Sequence, residues 1–164
     1  MPKVNRNSQT FKAASWAAVA LMLILIFWFS AQTGENLNED LGLVSQFKAW
    51  LAASAATLFG APIDVSPVGH FTEYLVLGAC LANALSLPSS KAALAKISLS
   101  TTRLLASTTL LCSLYGVSDE LHQIFTPNRS CDPVDWLVDT VAAFLGALII
   151  CLALKHGSRD QRAS

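Results

Sequence analysis

The sequence predicts an all-α, polytopic membrane protein with four transmembrane helices and an amphipathic outer-surface helix in the first loop. Of its 164 residues, 53% are hydrophobic and only 13% are charged, which is about half the charged share of a soluble domain. Four apolar stretches each approach the roughly 20 residues that a helix needs to cross a bilayer. Basic residues also alternate between the two sides of these stretches, as the positive-inside rule requires.

The composition excludes two other classes of protein. The 11 basic residues balance 11 acidic ones, so the chain lacks the basic excess of a nucleic-acid-binding protein. High apolar content at zero net charge is also incompatible with intrinsic disorder. Membrane lipids are therefore the expected partners. No oligomeric state is predicted.

The first span is predicted at Ala13–Phe29, which carries no charge. A secretory signal peptide is the alternative, because Lys3, Arg6 and Lys12 precede the stretch. However, the bulky Phe29 stands where a cleavage site needs a small residue. We therefore expect a retained span.

The long loop after the first span contains apolar residues at helical spacing. They are Leu43, Val44, Phe47, Trp50, Leu51, Ala55, Leu58 and Phe59. This pattern favours an amphipathic helix on the outer leaflet. A short re-entrant or poorly ordered segment is the alternative.

The other three spans are predicted at His70–Leu87, about Ile97–Val117 with a polar continuation, and Pro133–Leu154. Ser66-Pro67 and Asp132-Pro133 each combine an N-cap residue with proline at the first helical position. These pairs place the starts of the second and fourth spans. The third span is expected to stop before Pro127, since proline does not continue a helix.

The distribution of basic residues predicts that both termini are cytoplasmic. Only Lys48 and Arg129 lie on the outer side. The inner side holds Lys3, Arg6, Lys12, Lys91, Lys96, Arg103, Lys155, Arg159 and Arg162. The chain thus divides into an N-terminal segment 1–12, a membrane domain 13–154 and a cytoplasmic tail 155–164.

Ionisable residues are expected to converge near the outer face. Glu73 and Asp139 each follow their helix cap by seven residues, or about 10 Å. Asp119 reaches a similar depth when counted back from Pro127. His70 and His122 come one turn shallower, so two layers are predicted, with carboxylates below imidazoles. Because such groups are costly in lipid, we expect them to line a polar pocket open to the outside.

The expected catalytic residues are His70, Glu73, Asp119 and His122. Asp119 would orient His122, and Glu73 would serve as base or second acid. Tyr115, Asp119 and His122 share one helical stripe, whereas Glu120 points elsewhere. The expected binding residues are Gln32, Tyr74, Tyr115, Glu120, Gln123, Arg129, Asp135 and Asp139.

Several of these residues have a purely structural alternative. The carboxylates and histidines can form a hydrogen-bond network that holds three helices together. Asp132 and Asp135 suit a helix N-terminus. Arg129 can hold a phosphate or carboxylate ligand, or pair with Glu120 or Asp135.

No metal site and no cofactor are assigned from the sequence. His70, Glu73, Asp119 and His122 can be arranged around Zn²⁺. However, the chain has no His-Glu-x-x-His motif, which would be the specific signal for such a site.

The sequence resembles the VanZ-like family in three motifs: Phe29-Ser30-Ala31-Gln32, His70-Phe71-Thr72-Glu73-Tyr74 and Tyr115-Gly116-Val117-Ser118-Asp119-Glu120-Leu121-His122-Gln123. The resemblance continues through Phe125, Pro127, Asn128, Arg129, Asp135, Asp139 and Gly146, and so covers about residues 27–146. It implies a small multi-pass protein of the bacterial inner membrane, linked to tolerance of the glycopeptide teicoplanin. It assigns no reaction.

Three positions depart from the family pattern. Members usually carry Lys where Pro67 stands, Asn where Asp139 stands and Gly where Ala142 stands. Without the lysine, Arg129 alone would hold an anionic group. Asp139 adds negative charge, which favours a cation or a shared proton in the pocket.

Two hypotheses about function follow. The protein is an enzyme that acts on a cell-envelope lipid or a peptidoglycan-related substrate by hydrolysis or group transfer. Alternatively, it binds a lipid headgroup, an envelope precursor or a drug without catalysis. Transport ranks last, because four spans are few and no inverted repeat is visible.

Overall fold

The computed structural model describes residues 8–31, 66–87, 100–127, 129 and 131–163, with positions 46, 50, 53–54, 56–57 and 60 of the first loop. These residues form four long helices: α1 (Gln9–Ser30), α2 (Ser66–Leu85), α3 (Thr101–Gln123) and α4 (Pro133–Ala163). The all-α prediction is confirmed for the described part of the chain. Most of the predicted amphipathic helix lies outside the described residues.

Side-chain caps fix where the helices start. The Ser8 hydroxyl accepts a hydrogen bond from the Phe11 N–H at 3.2 Å at the start of α1. Asp132 accepts from the Val134 N–H at 2.8 Å at the start of α4. Each cap satisfies a backbone donor that the first turn leaves free. The predicted cap at Asp132 is thus confirmed.

The observed helix ends differ from the predicted spans in two places. α3 stops at Gln123, four residues before Pro127. α4 runs on to Ala163, so the segment expected to be a separate tail continues the helix. The apolar run marks only the part of α4 that is suited to lipid, and the polar residues after it keep the helical backbone.

Contacts between helices establish their relative directions. Asn83, near the end of α2, donates to the Ser15 hydroxyl near the start of α1 at 3.1 Å, so these helices are antiparallel. Tyr115 donates to the Leu23 carbonyl at 2.7 Å, and His122 lies further along α3 against the end of α1. α1 and α3 therefore run in the same direction.

α2 and α4 run parallel and approach until their backbones touch. A Cβ at Gly78 would collide with the Ala143 carbonyl, and a Cβ at Gly146 would collide with the Leu75 carbonyl and lie 2.9 Å from the Ala79 nitrogen. Only glycine allows this separation, as in the small-residue interfaces of membrane helices. Neighbouring helices in the chain thus alternate in direction. The ends of α1 and α3 share one end of the bundle with the starts of α2 and α4, and we call this the polar end.

Apolar side chains cover the outside of the bundle, while small and polar residues occupy much of its interior. The buried side chains include Ala82, Ala142, Ala143, Ala147, Thr108, Asp119, Glu120 and Asp139. The exposed ones include Leu21, Ile24, Leu110, Leu114, Leu121, Leu137, Ile149 and Leu152. This distribution is typical of helices surrounded by lipid, where apolar surface needs no cover.

Two of the described helical segments are long and apolar enough to cross a membrane. They are Gln9–Ser30, with a mean hydropathy of 2.1, and Pro133–Gly157, with 2.5. α2 and α3 contain 20 and 23 residues, which is sufficient length. However, their polar residues keep them out of this class.

The glycine contact makes a prediction about stability. Gly146→Ala should lower the free energy of unfolding by more than about 1 kcal/mol, because a methyl group there meets backbone atoms that cannot move aside. Gly157→Ala is the matched control on α4. Nothing lies within 4 Å of that position, so the higher helix propensity of alanine should leave stability unchanged or raise it by up to about 1 kcal/mol. Thermal unfolding in detergent measures both, and equal melting temperatures would contradict the interpretation.

Candidate functional site

The polar end of the bundle brings His70 of α2 against Asp139 of α4. The His70 Nδ1 lies 3.4 Å from the Asp139 Oδ1, without the alignment of a hydrogen bond. His70 is 9% exposed and Asp139 is fully buried. The two groups therefore lie at one level, which corrects the prediction of separate imidazole and carboxylate layers. The reason is the stagger of α2 and α4, which spacing within each helix does not reveal.

Glu120 of α3 completes this group, and its carboxyl group is only 3% exposed. One candidate ligand atom from each of Glu120, His70 and Asp139 lies within 4.8 Å of the other two. We call these three residues the polar centre. As predicted, Glu120 lies on a different face of α3 from the stripe that holds Asp119 and His122, and this face packs against α2 and α4.

The start of α4 holds Glu120 in this orientation. The Asp132 N–H donates to the Glu120 Oε2 at 2.7 Å. The Glu120 Oε1 remains buried with no hydrogen-bond partner. Asp132 thus caps α4 with its side chain and fixes Glu120 with its backbone, a role that residue type alone does not reveal.

Tyr74 and Gly116 border the polar centre. Tyr74 is fully buried, and its hydroxyl has no hydrogen-bond partner. A Cβ at Gly116 would lie 3.6 Å from the Asp139 Oδ2 and 3.6 Å from the Tyr74 ring. Both distances are ordinary van der Waals contacts, and only the Trp136 Cδ1, at 3.3 Å, would be tight against a Cβ here.

The opposite side of α3 faces α1, as the predicted stripe of Tyr115, Asp119 and His122 requires. Tyr115 bonds to the Leu23 carbonyl, and the His122 ring stacks on Phe27 with 4.6 Å between ring centroids. His122 therefore binds α1 through its ring, and its Nε2 is buried without a hydrogen-bond partner.

Asp119 does not orient His122 in the way predicted. It is 4% exposed and accepts a hydrogen bond from the Gln123 Nε2 at 3.2 Å. The Ser30 hydroxyl lies beside it, outside hydrogen-bonding geometry. Because α3 ends at Gln123, Asp119 is about 6 Å from the helix end and not the 10 Å expected from Pro127.

The remaining candidates surround these two groups or lie elsewhere. Glu73 lies near both groups, because its electrostatic neighbours include residues of each. They are His70, Asp119, Asp139 and Arg129. The Arg129 Nη2 donates to the Phe29 carbonyl at 3.4 Å, and this contact ties the loop before α4 to the end of α1. Asp135 has His70, Glu120 and Asp139 among its electrostatic neighbours. Gln32 lies outside the described residues.

The chemistry of the polar centre follows from its donor atoms. One imidazole and two carboxylates can exchange protons with a substrate or coordinate a cation. They come from three different helices, so the site exists only when α2, α3 and α4 pack together. Of the four catalytic candidates, only His70 belongs to the polar centre. Glu120 and Asp139 were expected only to bind.

Comparison with known proteins identifies a family. A family model described as VanZ/LLP1 matches residues 15–154. No curated protein matches the chain, and no solved structure does. The matched range includes all three residues of the polar centre.

The Asp132 cap supplies a stability test for the support of the site. Asp132→Ala should lower the free energy of unfolding by about 1 kcal/mol, because the Val134 N–H loses its acceptor. Asp132→Asn is the control, since asparagine caps helices about as well as aspartate. Melting temperatures in detergent measure the difference. An asparagine variant as unstable as the alanine variant would contradict the capping role.

Proposed function

The chain belongs to the VanZ/LLP1 family, and from this premise we propose that it is a four-span protein of the bacterial inner membrane that acts on a cell-envelope lipid or peptidoglycan-related substrate. The reaction is a hydrolysis or group transfer at the substrate's polar headgroup. Family membership links the protein to glycopeptide tolerance, and a changed envelope component would account for that link.

In the proposed topology, both termini lie in the cytoplasm and the polar end lies at the outer leaflet. The alternating directions of the helices support this arrangement, because the start of α1 and the end of α4 share one end of the bundle. The basic residues near these ends favour the cytoplasmic side. The exposed leucines of α3 support α3 as a span, although the face of α3 that packs inside the bundle carries polar residues. The first loop then lies outside, where its helical positions, such as Trp50, suit the membrane interface.

The polar centre is the observation that carries the proposed reaction. Polar atoms of His70, Glu120 and Asp139 are buried without hydrogen bonds, and each such group costs about 1–3 kcal/mol. His70 and Asp139 lie within ion-pair distance of each other, at 3.4 Å, but outside hydrogen-bond geometry. Buried polar atoms without hydrogen bonds suit a ligand or reacting group that bonds to them when it binds.

Other candidates take supporting roles around the polar centre. Glu73, beside His70 and Asp139, is suited to transfer a proton during the reaction. His122 can do the same from the α1 side, since its Nε2 has no hydrogen-bond partner. Arg129 holds a phosphate or carboxylate of the headgroup. Non-catalytic binding of the same headgroup is the competing function.

The topology predicts which cysteine an impermeant thiol reagent modifies in intact cells. Cys131 is exposed between α3 and α4, whereas Cys112 and Cys151 are buried and Cys80 is half-buried. Only Cys131 should be labelled from outside, and Cys131→Ser should abolish the labelling. Labelling that requires permeabilised cells would contradict the topology, as would a C-terminal reporter active only outside the cytoplasm.

The same labelling should depend on pH. Partial desolvation and the nearby carboxylates of Glu120 and Asp132 raise the pKa of the Cys131 thiol. Because the thiolate is the reactive form, labelling at neutral pH should be slower than for an ordinary exposed cysteine. The rate should increase as the pH is raised. A rate that does not change with pH above neutrality would show that the carboxylates do not act on this thiol.

The catalytic proposal predicts that Glu120→Gln abolishes glycopeptide tolerance while the protein stays folded in the membrane. Glutamine keeps the shape but removes the carboxylate charge near His70, and loss of an orienting carboxylate costs about 10⁴ in rate in a serine protease. A protein that only binds would lose about 1.5–3 kcal/mol of affinity. Ser118→Ala, an exposed site on α3, is the control and should match the wild type.

Three measurements distinguish the outcomes in cells that lack the native copy. They are abundance in the membrane, melting temperature and drug sensitivity, together with mass spectrometry of extracted envelope lipids. Normal abundance with lost tolerance and a lost lipid product supports catalysis. Full tolerance with Gln at position 120 would overturn the proposed reaction at the polar centre.

A further inference from the structure

We infer that the polar centre is a binding site for one divalent metal ion of the Zn²⁺ type, held by His70, Glu120 and Asp139. The inference rests on the proposed function only in taking the polar centre as the reactive site. The residues that the sequence suggested around Zn²⁺ were a different set, and only His70 belongs to both sets. The earlier set was His70, Glu73, Asp119 and His122. The binding claim itself can be tested without any knowledge of the reaction.

The geometry of the three donors is the first support. One atom from each of the three side chains lies within 4.8 Å of the others. Two ligands of one ion at distances of about 2 Å are separated by no more than about 4 Å, so small rotations of these side chains bring them into range. The donors come from α2, α3 and α4, so an ion would join all three helices.

The hydrogen-bonding state of the donors is an independent support. Asp139 is fully buried, and neither of its carboxylate oxygens has a hydrogen-bond partner in the described part of the chain, where the His70 Nδ1 lies 3.4 Å away outside hydrogen-bond geometry. The Glu120 Oε1 and the His70 Nδ1 are also buried and unpartnered. Buried carboxylates normally pair with a cation or coordinate a metal. Two carboxylates and one neutral imidazole carry the charge that balances a divalent ion.

A second shell of contacts orients one ligand in the way metal sites require. The Asp132 N–H bonds to the Glu120 Oε2 at 2.7 Å and leaves the other oxygen for the ion. Hydrogen bonds of this kind fix the orientation of ligating carboxylates and contribute to affinity. Asp119 on the same helix is different, because its Oδ2 accepts from Gln123.

The donor types indicate which ion is preferred. Imidazole with carboxylates suits Zn²⁺ and neighbouring transition metals, whereas Mg²⁺ prefers oxygen ligands alone. Catalytic zinc sites have three protein ligands and an open position. That open position would accept a headgroup oxygen or a water molecule.

The test uses the full chain, purified in detergent and dialysed against Zn²⁺ or Mg²⁺, with bound metal measured by mass spectrometry. We expect about one Zn²⁺ per chain, as in a single mononuclear site, and little Mg²⁺. Glu120→Gln and His70→Ala should weaken Zn²⁺ binding at least tenfold. Their matched controls, Asp119→Asn on the same helix and His122→Ala, should retain wild-type Zn²⁺ binding.

Each other result has a defined meaning. Absence of Zn²⁺ binding by folded wild-type protein overturns the inference, as does equal binding by Glu120→Gln and the wild type. If the ligand variants fail to fold, the visible absorption spectrum of Co²⁺ added to the wild-type protein serves as the test. A spectrum typical of Co²⁺ with nitrogen and oxygen ligands supports the site. The spectrum of hexaaqua Co²⁺ refutes it. Metal binding without any lipid product would refute the proposed reaction but not the site.

Discussion

The backbone contact between α2 and α4 fixes how the two helices that carry His70 and Asp139 lie against each other. Gly78 and Gly146 remove the side chains that would otherwise separate the two helices. Their contact sets the stagger of α2 against α4, and this stagger brings His70 level with Asp139. A wider spacing would separate the histidine from its carboxylate. The architecture of the site is therefore a consequence of small residues far from the site.

The bundle buries polar groups such as Asp119, Glu120 and Asp139 beside an apolar core, and it leaves many large apolar side chains exposed. In lipid, apolar contact between helices is not favoured over contact with acyl chains. For the proposed membrane bundle, close backbone packing and polar contacts would therefore hold the helices together. Tyr115 bonded to the Leu23 carbonyl and Asn83 bonded to Ser15 serve that purpose on α1. The polar centre adds the His70–Asp139 ion pair and the hydrogen bond from the Asp132 N–H to Glu120, and it also keeps buried atoms that have no hydrogen bond among the described residues.

The two sides of α3 have different roles at the polar end. One side faces α1 and carries Tyr115, Asp119 and His122, which contact other residues of the protein. Glu120 faces α2 and α4, with a buried oxygen that has no partner. Adjacent residues thus differ in role because they are rotated about 100° apart on the helix. A single site joins three helices because α3 presents Glu120 where α2 and α4 already meet.

The sequence alone was sufficient to predict the four long helices, the cap at Asp132 and the shared stripe on α3. These features depend on neighbours within one helix or turn, so spacing and residue type determine them. It did not reveal that His70 pairs with Asp139, that Glu120 joins them or that Asp119 bonds to Gln123. Those contacts depend on the rotation and stagger of each helix against its neighbours. That relation is decided only when Gly78 and Gly146 bring two backbones into contact, because no periodicity within one helix encodes it.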